Sequence, residues 1–355
     1  MGMKLMLAPM AGLTHAALRS LVSRFGGCDE YYTEMIQAGT LLTGGPFERY
    51  YLLSNPEPDK VVWQITGGKA PAMVEAARLL ASMEGIGVDI NMGCCAPDIV
   101  RAGAGIAWML KDRQETQRLV EQVGDVVRAA GKRFSVKLRL GDEDFSWEDF
   151  LGFVDMLAQR GVQRITLHPR TRREKYRQPP RLQYVGRLVD YLRDKDYGID
   201  VALNGGVADK ASARRAATIA PGISGIMIGR SAAQKPWVFR EIADGWKQAD
   251  GQTATETAQG LVVDLLRTGL DFIDNLEQFQ PKEFHKTRLQ RFFAFYSDNV
   301  QFAHHLRTRL LNHPTPDGCR RQLADYFAAA PHERFKGEPP PRKETGKEVD
   351  TWART

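Results

Sequence analysis

Two adjacent thiols, Cys94 and Cys95, follow a short run of mostly apolar residues at positions 88–92. The carboxyl end of a strand in a parallel α/β protein is where loops gather around a substrate. A thiol there can be a nucleophile, a metal ligand or a proton donor, although most intracellular cysteines are buried small hydrophobes. The two cysteines lack C-x-x-C spacing and the histidines are scattered, so we expect no metal site. From the thiols alone, a catalytic and a packed role are equally well supported.

The composition is that of an ordinary protein with enough apolar residues for a full core. The chain has 355 residues, of which 43% are hydrophobic and 26% are charged. No apolar run approaches the roughly 18 residues that a membrane span needs. The first residues lack the features of a signal peptide and of a myristoylation site, and four cysteines do not make a secreted disulfide framework. We expect a cytoplasmic protein that does not contact membranes.

The net charge of +6 is unevenly distributed along the chain. Residues 282–347 contain thirteen Lys or Arg against seven Asp or Glu, and residues 164–181 contain seven against one. Phosphate neutralisation dominates the affinity of proteins for nucleic acids, so this asymmetry indicates a polyanionic partner. The alternative is a set of solvated helix faces, which is the usual origin of a charge run.

Strand-like and helix-like segments alternate up to about residue 240. Apolar residues at helical spacing, such as Leu18, Leu21 and Val22, lie between the strand-like runs. Eight strands separated by helices predict a (β/α)8 TIM barrel, with a doubly wound parallel sheet as the alternative. The predicted strands are residues 4–10, 31–35, 61–66, 87–91, 134–139, 164–168, 200–204 and 225–228.

The strand pattern stops after residue 240. Residues 256–273 and 282–311 have helical periodicity, and their aromatic residues predict a helical core. The end of the chain is rich in proline and charge, which is typical of disorder. The sequence therefore predicts a catalytic barrel over residues 1–240, a small helical domain over residues 241–335 and a disordered tail over residues 336–355.

Polar residues and glycines stand at the ends of the predicted strands, which converge on one face of a barrel. Barrel enzymes commonly bind phosphate after their last two strands, through backbone N–H groups and an added cation. This chain has Asn204, Gly205 and Gly206 after the seventh strand, and Gly229 and Arg230 after the eighth. The pattern predicts a phosphorylated cofactor.

Two further strand-end residues suit a flavin ring. The cation of Lys137 can stabilise an anionic reduced flavin, and the amide of Gln64 can donate to and accept from ring heteroatoms. FMN supplies both a phosphate and such a ring, so we expect FMN as the cofactor.

These motifs, in this order, resemble those of the tRNA-dihydrouridine synthases, flavoenzymes that reduce selected uridines in tRNA. The resemblance covers about residues 7–312. It rests on Ala8-Pro-Met-Ala-Gly-Leu-Thr14, Thr33-Glu-Met35, Gln64, Asn91-Met-Gly-Cys94, Lys137-Leu-Arg139, His168-Pro-Arg-Thr-Arg172, Asn204-Gly-Gly206 and Ile226-Met-Ile-Gly-Arg230 followed by Pro236-Trp237.

The resemblance implies an FMN-dependent oxidoreductase with tRNA and NADPH as partners, and we expect it to act as a monomer. In that family NADPH reduces FMN, hydride passes from the flavin to C6 of the uracil, and a cysteine, here Cys94, protonates C5. The base must leave its stack, which requires a basic RNA platform. The implied FMN contacts are Pro9, Met10, Ala11, Gln64, Lys137, His168, Asn204, Gly205, Gly206, Gly229 and Arg230.

Substrate contacts are expected from the active-face loops and from the basic helical region. A rival reading is an FMN-dependent small-molecule pyrimidine or dihydroorotate-type dehydrogenase, which would not need a basic helical domain. Another is a catalytically silent tRNA-binding flavoprotein, against which the cysteine argues. The expected substrate contacts are Asn91, Arg139, Arg170, Arg172, Lys282, Lys286, Arg288, Arg291, Arg307 and Arg309.

Three positions depart from the family pattern. Cys95 stands where the family usually has proline, and it is either a packed thiol or one half of a vicinal disulfide with Cys94. A reducing cytosol favours the packed thiol. His15 stands where aspartate is frequent, as a variant helix cap, and Pro169 replaces a glycine, which leaves Arg170 and Arg172 available for RNA.

Overall fold

Parallel strands close into a barrel in the computed structural model, which describes residues 2–174, 178–249 and 261–337. The predicted TIM barrel is confirmed, and each of the eight predicted strands has its counterpart. The strands are β1 (Lys4–Leu7), β2 (Glu30–Tyr32) with a short continuation β3 (Ile36–Gln37), β4 (Val61–Thr66), β5 (Gly87–Met92), β6 (Arg133–Arg139), β7 (Arg164–His168), β8 (Asp200–Asn204) and β9 (Gly225–Ile228).

The barrel closes because β1 pairs with both β2 and β9, while β2 also pairs with β4. All of these pairings are parallel. The first predicted strand ends early, at Leu7, because Pro9 has no N–H to continue the ladder. The second is broken after Tyr32, where the Thr33 hydroxyl donates to the Glu34 carbonyl and accepts from the Gln64 N–H.

Helices cover the barrel between the strands. Their caps and apolar stripes follow from the sequence: Asp112 accepts from two N–H groups of the first turn of α7, and Asp209 forms a capping box on α10. The helices are α1 (Ala16–Phe25), α2 (Ala38–Thr43), α3 (Glu48–Tyr51), α4 (Ala70–Ser82), α5 (Pro97–Arg101), α6 (Ala107–Leu110), α7 (Arg113–Ala129), α8 (Trp147–Gln159), α9 (Gln183–Asp194), α10 (Lys210–Ile219), α11 (Arg230–Gln234) and α12 (Val238–Ala249), with a 3-10 turn at Pro58–Lys60.

Side chains alternate between the barrel interior and the layer under the helices. On β5, Val88 and Ile90 join the main core, whereas Asp89 and Asn91 both hydrogen-bond to Gln64 of the neighbouring β4. Polar side chains of β4 and β5 therefore face one another inside the barrel, beside an apolar cluster. This cluster is Met6, Ala8, Tyr32, Val62, Ala202 and Met227.

A buried ion network closes the opposite end of the barrel. The carboxylate of Glu30 accepts hydrogen bonds from Arg133 at 2.9 Å and from Arg164 at 2.8 Å, and Arg164 also binds Asp200 at 3.0 Å. Burial alone would raise the pKa of Glu30, but the hydrogen bonds and charges of the two arginines outweigh it and hold the pKa at about 2. Glu30 is therefore ionised at neutral pH.

The C-terminal region is helical, as predicted. Its elements are α13 (Leu265–Phe279), α14 (Lys282–Tyr296), α15 (Ala303–Asn312), α16 (Pro316–Ala329), 3-10 turns at Ser297–Asn299 and Pro331–Glu333, and a two-stranded ribbon of β10 (Val263–Asp264) and β11 (Phe335–Lys336). Helix α13 packs on α1, and α14 packs on α11. Phe272, Phe292, Phe293 and Tyr296 form its aromatic core, whereas Phe302 is exposed.

Some predicted boundaries differ from the observed ones. The single helix expected over residues 282–311 is split by the turn at Ser297–Asn299. The helix expected from residue 256 begins at Leu265, where Asp264 caps it, and residues 250–260 lie outside the described residues. The predicted tail begins two residues too early, because Lys336 pairs with Val263 in the ribbon, and its residues from 338 onward lie outside the described residues. Among the described helices, none combines the length and apolarity that crossing a membrane requires.

Candidate functional site

A cavity of about 740 Å³ opens at the carboxyl ends of the barrel strands. It collects Cys94, four of the expected substrate residues and ten of the eleven expected FMN contacts. The expected residues that line it are Pro9, Met10, Ala11, Asn91, Cys94, Lys137, Arg139, His168, Arg170, Asn204, Gly205, Gly206, Gly229, Arg230 and Arg291.

One end of the cavity is a glycine-lined cradle between β8 and β9. Gly205 and Gly206 have φ angles of 108° and 78°, which residues with a side chain rarely adopt. A Cβ atom on Gly205 would lie only 3.0 Å from the ring of His168. The Asn204 amide ties the two strands together by donating to the Met227 carbonyl at 2.8 Å. A Cβ atom on Gly206 would likewise lie 2.8 Å from Pro180, so both positions require glycine. A glycine-lined loop at the end of a strand is also what backbone binding of a phosphate requires.

Lys137 projects into the cavity from β6. Burial lowers the pKa of its ammonium group to about 8, the nearby charge of Arg139 acts in the same direction, and the charge of Asp89 opposes both. Within the described part of the chain, no hydrogen bond joins this ammonium group to another residue. A cation held in a cavity in this way suits an anionic or electron-rich ligand.

His168 lies in the same wall of the cavity, and its imidazole is neutral. Burial lowers its pKa to about 2, and the charges of Lys137, Arg139, Arg170 and Arg230 add to this effect. Its Nε2 lies 2.7 Å from a guanidinium nitrogen of Arg170. Because a guanidinium group only donates, Nε2 accepts this bond and the proton resides on Nδ1.

The loop that carries Cys94 is held by hydrogen bonds from its own strand, from the neighbouring strand β6 and from the turn at Ile106. The backbone N–H of Cys94 donates to Asn91 Oδ1 at 2.9 Å, and its carbonyl accepts from the Ile106 N–H at 3.0 Å. Arg139 Nε donates to the Gly93 carbonyl at 2.9 Å. Burial raises the pKa of the Cys94 thiol, so the thiol is neutral at physiological pH. A neutral thiol is a proton donor rather than a ready nucleophile.

The three residues that depart from the family pattern, Cys95, His15 and Pro169, lie in different environments. Cys95 lines the cavity beside Cys94, and both are free thiols that are partly accessible, so Cys95 is neither disulfide-bonded nor fully packed. His15 precedes α1 but makes no side-chain cap hydrogen bond, contrary to the expected cap. It is buried against Phe272, and burial holds its pKa well below the usual value. The carbonyl of Pro169 accepts from the N–H of Arg181.

Gln64 is the expected FMN contact that does not line the cavity. Its side chain is fully buried, its Nε2 donates to Asp89 at 2.7 Å, and its Oε1 accepts from Asn91 at 2.9 Å. Both the oxygen and the nitrogen of its amide are thus hydrogen-bonded inside the barrel. Asp89 was missed at the sequence level, although it shares a strand face with Asn91 two residues further on.

The expected tRNA contacts divide by exposure. Lys282, Lys286 and Arg291 are exposed on α14. Arg307 and Arg309 are half-buried and engage Asp298 and Asp325 respectively. Arg172 engages Asp142 at 3.0 Å, and Arg170, expected to be available for RNA, is buried in the cavity wall.

Arg288 requires a correction. It is buried and forms a salt bridge with Glu34 at 3.0 Å, so it is not a surface cation for a phosphate. Glu34 also accepts from the Gly12 N–H, and Arg291 donates to the Ala11 carbonyl at 2.6 Å. These bonds fasten α14 to the loop that follows β1. Loss of the salt bridge from Arg288 would leave the buried carboxylate of Glu34 without its cation.

The fold and the cavity define a TIM-barrel protein with a cationic, glycine-lined site at its strand ends. A 2-naphthoyl-CoA reductase, solved in complex with 2-naphthoyl-CoA, has a similar fold with a TM-score of 0.53, at 13% identity over 92% of this chain and 67% of that chain.

The family follows from the sequence comparisons. The family model described as dihydrouridine synthase (Dus) matches residues 6–329, so the chain belongs to the dihydrouridine synthase family.

Individual relatives agree with this family. A probable tRNA-dihydrouridine synthase of Rhodobacter capsulatus is 34% identical over 67% of this chain and 70% of its own. The tRNA-dihydrouridine synthase B of Pseudomonas syringae pv. tomato is 31% identical over 67% of each chain. A probable tRNA-dihydrouridine synthase of Staphylococcus aureus is 27% identical over 94% of this chain and 95% of its own.

Proposed function

We propose that this protein reduces uridines in tRNA to dihydrouridine, with FMN as the bound cofactor, NADPH as the reductant and Cys94 as the proton donor. The observation that carries the proposal is one cavity that brings together Cys94, Lys137 and the glycine cradle at Gly205 and Gly206. The membership of the family and the names of its relatives support the same activity.

The residues of the cavity fit FMN at both of its ends. The glycine cradle and Arg230 would hold the phosphate, through backbone N–H groups and a charge-assisted hydrogen bond. Lys137 would lie against the ring and stabilise its reduced, anionic form. When bound, FMN supplies the hydride acceptor and donor chemistry that no side chain of the protein can provide.

Cys94 suits protonation of a carbon atom. Its pKa is raised by burial, so the proton is present at neutral pH, and Arg139 and Asn91 fix the backbone from which the thiol projects. Protonation by a positioned acid contributes about 10²–10⁴-fold to a rate. Cys95 has no assigned role in this step, although it lines the same cavity.

The RNA would lie across α14 and the mouth of the cavity. Lys282, Lys286 and Arg291 are exposed there, and Arg291 and Phe295 line both the main cavity and a second groove on α14. Scattered cations suffice, because RNA is recognised largely through its shape and phosphates. Arg172, Arg307 and Arg309 remain candidate contacts, but each would have to leave its acidic partner in order to bind a phosphate. We propose that the protein acts as a monomer.

The test compares substrates on the purified protein. We expect FMN to copurify, and we expect NADPH oxidation to be coupled to dihydrouridine formation in tRNA that lacks this modification, measured by mass spectrometry of nucleosides. Free uracil and orotate, the oxidised form of dihydroorotate, serve as controls and should not support NADPH oxidation. Turnover of either small molecule with none on tRNA would establish the small-molecule dehydrogenase instead.

A further inference from the structure

A continuous chain of hydrogen bonds runs beneath the cavity, from a buried carboxylate to the backbone of Cys94. Asp89 accepts from Gln64 Nε2 at 2.7 Å, and Gln64 Oε1 accepts from Asn91 Nδ2 at 2.9 Å. Asn91 Oδ1 then accepts from the N–H groups of Gly93 at 3.2 Å and Cys94 at 2.9 Å. The chain thus links the barrel interior to the proton-donating thiol.

The direction of this chain is set at both of its ends, by the carboxylate of Asp89 and by the backbone N–H groups of Gly93 and Cys94. An ionised carboxylate can only accept, whereas an amide can present either its oxygen or its NH2 group. Gln64 must therefore turn its NH2 group to Asp89, which leaves its oxygen for Asn91. Asn91 must in turn direct its own NH2 group to Gln64, and its oxygen is left for the Cys94 loop. The other oxygen of Asp89 is held by the Ser135 hydroxyl at 2.6 Å.

The groups around Asp89 keep it ionised at neutral pH. Burial raises its pKa to about 6, opposed by the hydrogen bonds from Ser135 and Gln64 and by the charges of Lys137 and Arg133. Tyr32, from β2, is the other titratable group facing it, and its own pKa is raised by burial, so it is neutral. Asp89 is fully buried and does not line the cavity. Any effect that it has on Cys94 must pass through its neighbours.

We propose that Asp89 is a positioning residue, whose acceptor-only carboxylate acts through Gln64 and Asn91 to fix the backbone that carries the Cys94 thiol. The value of this placement for protonation rests on the proposed function. The placement itself does not, because it can be measured on the thiol without any turnover.

The experiment follows the alkylation of Cys94 by iodoacetamide in the full-length protein as purified, with tandem mass spectrometry to separate Cys94 from Cys95. Asp89→Asn keeps the shape of the side chain but removes its charge, so the amide at position 89 can turn its NH2 group to Gln64 and oppose the direction that the backbone N–H groups impose on Asn91. We expect Cys94 to react about fivefold faster or more, since losing its anchor frees the loop by roughly one hydrogen bond. Ser135→Ala is the matched control, because it removes the other partner of the same carboxylate and leaves the direction of the chain intact. Its rate should stay within about twofold of the wild type.

A double variant, Asp89→Asn with Gln64→Glu, moves the carboxylate one place along the chain. The new amide at position 89 would then donate to the new carboxylate at position 64. That carboxylate would still accept from Asn91, so the direction is restored. We expect the alkylation rate to return to within about twofold of the wild-type rate. A difference of this size is smaller than the one expected from the loss of one hydrogen bond.

Three outcomes overturn the proposal. These are a wild-type rate for the single variant, a double variant that reacts like the single one, and a failure of both variants to fold, which would mean that Asp89 is required for folding and not specifically for placing the Cys94 loop. A single variant that does not fold, beside a double variant that folds and reacts normally, supports it. The expected alkylation pattern in a protein that does not reduce tRNA would contradict the proposed function and leave the positioning role standing.

Discussion

Single side chains set the protonation states on which the proposed chemistry depends. Cys94 is a neutral thiol because of burial, and His168 is a neutral imidazole because burial and four surrounding cations oppose its charge. Lys137 is the cavity group that changes charge nearest to physiological pH, with a pKa of about 8. Each of these states can be tested separately.

FMN retention should depend on pH through Lys137. Its pKa is lowered to about 8, so it is charged below this pH and neutral above it. We expect the affinity of the apoprotein for FMN, measured by fluorescence quenching, to fall as the pH rises through about 8. Lys137→Met should bind FMN more weakly and remove this step. An identical pH profile in the variant would mean that Lys137 does not face the flavin.

Arg230→Ala should lose flavin. A charge-assisted hydrogen bond to a phosphate contributes about 1.5–3 kcal/mol, which corresponds to a loss of roughly ten- to hundredfold in affinity. The ratio of flavin to protein absorbance after gel filtration measures the loss. Ser231→Ala, whose hydroxyl donates to the Val207 carbonyl in the same cavity wall, is the matched control and should keep its flavin. Full flavin in Arg230→Ala would place the phosphate elsewhere.

The strands were the most predictable elements. Barrel strands are buried on both faces, so they read as short, nearly continuous apolar runs, such as 225–228 and 61–66. Their carboxyl ends then identify the face that holds the cavity. The break after Tyr32 and the split at Ser297–Asn299 were not predictable, because they depend on hydrogen bonds between segments distant in sequence.

The sequence also did not allow us to predict which of the charged residues are buried. Arg288 and Arg291 stand one helical turn apart in one basic helix, yet the first is buried against Glu34 and the second is exposed. Only the packing of α14 against the segment between β2 and β3, which carries Glu34, distinguishes them. Likewise, the hydrogen bonds of Gln64 to Asp89 and Asn91 join neighbouring strands and could not be predicted from the sequence.

Glu30 should be the most costly carboxylate to remove at the closed end of the barrel. Glu30→Gln leaves the guanidinium groups of Arg133 and Arg164 without their buried partner, and breaking such a pair costs about 3–5 kcal/mol. Asp200→Asn touches the same Arg164 from an exposed position and should cost at most about 1 kcal/mol. Urea unfolding measures both. Equal costs would mean that the network contributes no more than a surface pair.

The same carboxylate gives a pH dependence of stability. The pKa of Glu30 is held at about 2, below its ordinary value of 4.5, so its contribution is complete above the ordinary value. It is lost as the pH falls from 4.5 towards 2. We expect wild-type stability to fall more steeply than that of Glu30→Gln over this window. If the stabilities of the wild type and of Glu30→Gln fell equally with pH, the lowered pKa of Glu30 would be contradicted.

At the scale of the whole molecule, the cavity is lined both by the barrel and by Arg291 and Phe295 of α14. The bonds from Arg288 to Glu34 and from Arg291 to Ala11 join α14 to the loop that lines the cavity. The backbone of α14 is therefore tied to the loop that lines the cavity. A substrate bound on α14 would be presented to the cavity in a defined orientation.

Reversing two exposed charges of α14 should weaken tRNA binding without affecting FMN. For Lys282→Glu with Lys286→Glu, we expect the slope of log affinity against log salt to fall by about 2, or about 1 for each phosphate contact. Arg193→Glu with Lys195→Glu makes the same change at the end of α9, next to the start of β8 and far from the cavity. This control should bind tRNA nearly as the wild type does. Equal losses in both variants would remove α14 as the RNA platform.

The most direct measurement is dihydrouridine formation in tRNA by Cys94→Ala and Cys95→Ala, each with bound FMN and excess NADPH. Cys94→Ala should keep its FMN and the reduction of that FMN by NADPH, yet form dihydrouridine about 10²–10⁴-fold more slowly, because the positioned acid is missing. Cys95→Ala should retain most of the wild-type rate. An inactive Cys95→Ala beside a normal Cys94→Ala would contradict the assignment and make the second thiol the proton donor.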